Sequence, residues 1–173
     1  MIAIFAVVVF VGFVLTLLIQ KSALKTNRLD IPNERSSHTS PTPRGAGLAV
    51  VVAFLFGLVA LLVDKSISDD VFLAIALPGL IVAIIGLLDD RGHLTSAKWR
   101  LVGHFACALL AVWLVGGLPE LPLANATIDF GLAGDITAVV YLVWMLNLFN
   151  FMDGIDLITG VQTVTTSAGV AML

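Results

Sequence analysis

Six polar residues stand at spacings that could do chemistry on phosphate. Asp89 and Asp90 close the apolar run 80–88, while Asn147, Asn150, Asp153 and Asp156 recur every three residues behind another apolar run. On a helix, a spacing of three keeps side chains on one slowly drifting face. Oxygen ligands in such a stripe suit Mg²⁺, which takes one or two carboxylates and fills its other positions with water and substrate phosphate. Gly154 weakens a helix at that point, so part of the stripe can be loop. Adjacent carboxylates repel each other, and at a helix C-terminus the macrodipole disfavours each by a few tenths to about 1 kcal/mol. Charges placed against stability point to function. The plainer alternative is that Asp89 and Asp90 stop a helix and pair with Arg91 and Arg100.

A third segment brings the opposite charge. DIPNERSSH, from Asp30 to His38, leads into SPTPRGAG, from Ser40 to Gly47. Its prolines fix φ and its glycines permit close backbone approach. Arginines with small hydroxyl donors suit phosphate binding.

The elements that must position these residues follow from composition. Of 173 residues, 59% are apolar and 12% charged, with a mean hydropathy of +1.06. Soluble domains carry about 25% charged residues, so the solvent here is lipid. A bilayer core about 30 Å thick needs about 20 apolar residues per helix. Five runs qualify, 2–19, 46–63, 71–88, 101–117 and 132–149, and a truncated sixth starts at 158. The expected fold is all-α, a polytopic integral membrane protein whose residues 1–173 form a single transmembrane domain. The first run has no basic residue before it and no small-x-small cleavage site before Lys21, which predicts a retained anchor.

Loop charges set the orientation. Eight of the nine basic residues fall in two segments, Lys21, Lys25, Arg28, Arg35 and Arg44 in the first, Arg91, Lys98 and Arg100 in the second. The intervening loops hold Lys65 alone. The positive-inside rule then predicts an outer N-terminus and three cytoplasmic segments, 20–45, 89–100 and 150–157. Asp135 is set apart near the outer end of the fifth run. Trp99 and Trp113 read as interfacial anchors, and His93 and His104 as interfacial polar residues. Cys107, the single cysteine, lies inside an apolar run and reads as a small buried hydrophobe. A net charge of −3 with no basic block excludes a nucleic-acid footprint.

Together the three polar segments resemble the polyprenyl-phosphate N-acetylhexosamine-1-phosphate transferases of glycosyltransferase family 4. The family's first-loop pattern D-x-P-N-x-R-S-x-H-x-x-P-T-P-R-G-G-G is similar to residues 30–47, with Ala46 in place of one glycine. Its acidic pair matches Asp89-Asp90. Its N-x-x-N-x-x-D-G-x-D-G signature matches residues 147–157, with Leu157 where the last glycine would stand. Five spans and part of a sixth correspond to an N-terminal half of a longer transferase. The family's later aspartate and its histidine-containing loop have no counterpart here.

The resemblance implies transfer of a sugar-1-phosphate from a UDP-sugar to undecaprenyl phosphate, with release of UMP, at the start of O-antigen or cell-wall polysaccharide synthesis. The first-loop wording favours the O-antigen branch, hence UDP-N-acetylglucosamine or a related sugar. It implies Mg²⁺ as cofactor, held by Asn150 and Asp153, with Asp156 near the uridine. Arg35 and Arg44 become phosphate clamps and Thr42 a substrate donor. Asp89 and Asp90 become the catalytic carboxylates, either deprotonating the lipid phosphate or holding Mg²⁺ or orienting a basic residue. The implied location is a bacterial inner membrane with a cytoplasmic active face; the implied partners are membrane lipid and a second copy in a homodimer. Two other readings remain open at this stage, an inactive truncated remnant and a cation-binding transporter subunit.

Overall fold

The computed structural model describes residues 2–27, 29–30, 41–43, 45–91, 96–123, 126–152 and 158–171. Among them are six helices, α1 (Ile2–Lys25), α2 (Ala46–Val63), α3 (Asp69–Asp90), α4 (Ala97–Val115), α5 (Gly131–Met152) and α6 (Ile158–Ala171). Two short antiparallel ribbons join them. β1 (Leu29–Asp30) pairs with β2 (Thr42–Pro43) between α1 and α2, and β3 (Leu121–Leu123) pairs with β4 (Ala126–Ile128) between α4 and α5.

At 1.5 Å per residue the first five helices measure about 27–36 Å, enough to cross a hydrocarbon core of about 30 Å. All five are also apolar enough to do so, and α6, with 14 residues, is not among them. Their surfaces identify the solvent. No part of the most apolar stretch of α1 is buried, and no more than 17% of that stretch is buried in any of the other four. Phe5, Phe13 and Leu132 project outward, an arrangement that needs apolar surroundings such as lipid.

Since lipid is as apolar as leucine, close helix contact depends on small residues that let backbones approach. α1 meets α2 in this way. Ala49 is fully buried and Ala53 nearly so, and a Cβ at Gly12 would lie 3.3 Å from that of Ala53. Gly103 of α4 likewise takes the side chain of Ile85 from α3, whose Cδ1 would stand 2.6 Å from an added Cβ. α4 and α5 share the cluster Ala108, Val139 and Val143. Cys107 is buried as expected.

Helix ends follow local chemistry. The Ser68 hydroxyl accepts from the Val71 amide at 3.3 Å, with Asp69 and Asp70 in the first turn of α3 where the dipole favours them. Ser96 caps α4 through the Lys98 amide. α4 ends on Gly116 at φ 87°, a left-handed cap that glycine adopts without steric cost. Pro78 is buried within α3; lacking an N–H, it leaves the carbonyl four residues earlier without its helical donor, and the helix continues past it.

At the ends that carry the charged segments, α1, α3, α4 and α5 overrun the apolar runs by a few residues, because hydropathy marks where lipid ends and not where backbone pairing ends. Residues 20–25 extend α1, Asp89 and Asp90 form the last turn of α3, 97–100 the first turn of α4, and 150–152 the end of α5. The three expected loop segments are shorter by those turns.

Candidate active site

Three helix ends converge on one small pocket. The last turns of α3 bring Asp89 and Asp90, the first turns of α4 bring Arg100 and His104, and the end of α5 brings Asn150. The cavity measures about 240 Å³ and is walled on its apolar side by Val82, Ile85 and Leu146. Gly86 also lines it, and a Cβ there would meet nothing within 4 Å. The spacing argument explains the α3 and α5 contributions. Asp89 lies three residues beyond Gly86 and Asn150 three beyond Asn147, one helical turn in each case.

Arg100 donates through Nη1 to Asp89 Oδ2, and the two side chains are about a quarter exposed. This pair offsets the unfavourable charge at the C-terminus of α3. It also realises the pairing weighed from sequence, at Arg100. On α5, Asn147 Nδ2 donates to the Val143 carbonyl at 2.7 Å, back-bonding to its own helix and leaving Oδ1 as an acceptor.

His104 departs from expectation. It is buried, 6% exposed, instead of interfacial, because α4 packs that face between α3 and α5. Its Nδ1 has no hydrogen-bond partner among the described residues. Asn147 lies in hydrogen-bonding reach of the ring, with Arg100 and Asp89 close enough for their charges to act on it. Sequence reasoning missed both Arg100 and His104 as pocket residues. Their i, i+4 spacing on α4 was the available signal, since it places them on one face.

Asp89, Asp90 and Asn150 offer oxygen donors, the set a hard cation takes. No group of three or more His, Cys, Asp or Glu that could hold a metal occurs among the described residues. The donors present are of the kind that suits a hard cation. Thr42 lies half-buried in β2, against α1, and is not among the pocket's lining residues. Arg35, Arg44, Asp153 and Asp156 lie outside the described residues.

The opposite end of the bundle is built differently. A larger groove of about 700 Å³ runs between α4 and α5, lined by Phe105, Leu109, Trp113, Leu132 and Ile136 among others. Asp135 at its rim accepts from the Leu118 amide at 2.7 Å. That carboxylate fastens the start of α5 to the chain leaving α4.

Comparison with known proteins identifies the family. The family described as Glycosyl transferase family 4 matches residues 72–173, from α3 to the end of the sequence. A probable undecaprenyl-phosphate N-acetylglucosaminyl 1-phosphate transferase of Bacillus subtilis is 25% identical over 154 residues, covering 88% of this chain and 42% of that protein. An undecaprenyl-phosphate alpha-N-acetylglucosaminyl 1-phosphate transferase of Thermotoga maritima is 30% identical, covering 88% and 46%. A decaprenyl-phosphate N-acetylglucosaminephosphotransferase of Mycobacterium leprae is also 30% identical, covering 82% and 39%. The chain thus spans less than half the length of these relatives. No solved structure matches it. With the family match spanning all the helices that form the pocket, the chain belongs to glycosyl transferase family 4.

Proposed function

We propose that this chain carries the carboxylate half of an active site that transfers N-acetylhexosamine-1-phosphate from a UDP-sugar to undecaprenyl phosphate. The observation that carries the reading is the pocket itself, where Asp89, Asp90, Arg100 and Asn150 meet at one end of the bundle. In the reaction, an oxygen of the lipid phosphate attacks the sugar-bearing phosphorus of the UDP-sugar. The bond to the bridging oxygen breaks, and UMP leaves with that oxygen. Both reactants are anionic, so catalysis consists mainly of positioning and charge compensation.

Arg100, held by Asp89, offers a guanidinium to a phosphate entering the pocket, and the bidentate geometry of arginine suits that ligand. A lipid phosphomonoester has a second pKa of about 6, so much of the nucleophile is already dianionic near neutral pH. The role assigned to Asp89 is therefore orientation of Arg100, and Asp90 is the carboxylate that faces the reacting phosphates. Asn150 and Asp153 would hold Mg²⁺, which would neutralise charge on the diphosphate. Arg35, Thr42 and Arg44 from the first loop clamp substrate, and Asp156 contacts the uridine. The basic residues concentrated at this end support a cytoplasmic active face in a bacterial inner membrane, where UDP-sugars are found. The names of the relatives favour N-acetylglucosamine as the sugar, and the expected pathway is O-antigen or cell-wall polysaccharide initiation.

The test uses membranes from cells producing the protein, given UDP-N-acetylglucosamine labelled in the uridine, undecaprenyl phosphate and Mg²⁺. Labelled UMP should appear only when the lipid phosphate is present, and its appearance should stop on chelation. No UMP above that of control membranes would sink the reading.

A further inference from the structure

His104 is the pocket residue that the transfer chemistry leaves without a task. It is 6% exposed, and its Nδ1 lacks a hydrogen-bond partner among the described residues. Such a nitrogen costs about 1–3 kcal/mol, a penalty that an apolar side chain of similar shape would not incur. Packing alone therefore does not account for a histidine here. Its neighbours do. His104 lines the pocket together with Arg100, one turn before it on α4, Asp89 of α3 and Asn150 of α5, and Asn147, one turn before Asn150, interacts with its ring. It thus bears on all three helices that build the pocket.

The Asn147 Nδ2 donates to the Val143 carbonyl, so Oδ1 is the atom that can accept an imidazole N–H. Val82, Ile85 and Leu146 close the apolar side of the pocket, and such polar contacts strengthen where water is excluded.

We infer that His104 is a positioning residue for phosphoryl transfer, whose imidazole keeps the Asn147–Asn150 edge of α5 facing the Asp89–Arg100 pair across the pocket. It touches no reacting atom; it acts through Asn147 and Arg100. The inference rests on the transferase reading above.

Three variants and a double variant test it in the same membranes. His104→Leu should lower kcat by about 10–100-fold, the range for residues that orient a site's direct ligands. The KM for UDP-N-acetylglucosamine should change by less than about threefold. The thermal midpoint should stay unchanged or rise. His104→Gln, which keeps a donor and an acceptor, should recover most of kcat. Asn147→Ala should resemble His104→Leu, and the double variant should be little worse than either single one, since residues that act as a unit are not additive. Wild-type kcat in His104→Leu, failure of His104→Gln to recover, or multiplying losses in the double variant would each overturn the proposal. So would a lowered midpoint in His104→Leu that accounts for its loss of activity. Absence of UMP release from the wild-type protein would instead sink the transferase reading, and a lowered midpoint in His104→Leu would still overturn the role given to His104.

Discussion

The two ends of the α3–α4–α5 bundle handle charge in opposite ways. At one end Asp135 accepts from the Leu118 amide and fastens the start of α5 to the chain leaving α4, and the neighbouring groove is large and apolar. At the other, two carboxylates stand at a helix C-terminus that disfavours them, with a guanidinium, an imidazole and an amide gathered around a third of the volume. The first end uses charge to satisfy backbone. The second keeps charge in surplus over what the backbone needs, which is the expected mark of a site that meets charged ligands.

Substitution should separate the ends, and the largest effect belongs to Asp90. Asp90→Ala should reduce UMP release by about 10²–10³-fold, the loss typical of removing one preorganised electrostatic group, while membrane insertion is preserved. Near-normal rates would dissolve the contrast. Next comes Gly86→Leu, which places a side chain into open pocket space without meeting any neighbour at Cβ. Transfer should fall about 10²-fold, as when reacting groups are displaced by about 1 Å, with the thermal midpoint retained. Asp89→Ala should also lose activity, by a factor that stays constant from about pH 6 to pH 9, because the phosphate nucleophile ionises near 6 without help. Recovery as pH rises would return Asp89 to the role of general base. The smallest effect on transfer is expected at the other end. Asp135→Ala should destabilise the fold by about 1–3 kcal/mol, read by thermal unfolding, and leave kcat nearly unchanged.

Much of this division is legible in the sequence, for a definite reason. Apolar runs mark spans because the bilayer demands about 20 such residues in sequence, and Asp89, Asp90 and Asn150 stand out because polar residues at span ends are rare against that background. What hydropathy cannot distinguish is a face turned to lipid from a face turned to another helix, since both are apolar. His104 therefore reads as interfacial from sequence and proves buried. The Gly12–Ala53 and Gly103–Ile85 contacts are hidden for the same cause. Arg100 is visible as a candidate partner for Asp89, but its place beside Asn150 depends on how α4 and α5 pack. The first-loop motif and the Asp153–Asp156 segment are plain as patterns, but residues 31–40 and 44 of the first and 153–157 of the second lie outside the described residues.

Pro78 gives the carboxylate end a lever. It interrupts the hydrogen-bond ladder of α3 twelve residues before Asp90, which is about 18 Å along the axis. Bending concentrated at that point swings the whole terminal half-helix as one arm. A rotation of only about 3° moves its tip by about 1 Å, the scale at which phosphoryl alignment is gained or lost. Any bend at Pro78 would therefore be felt most at Asp89 and Asp90, and least at the start of α3.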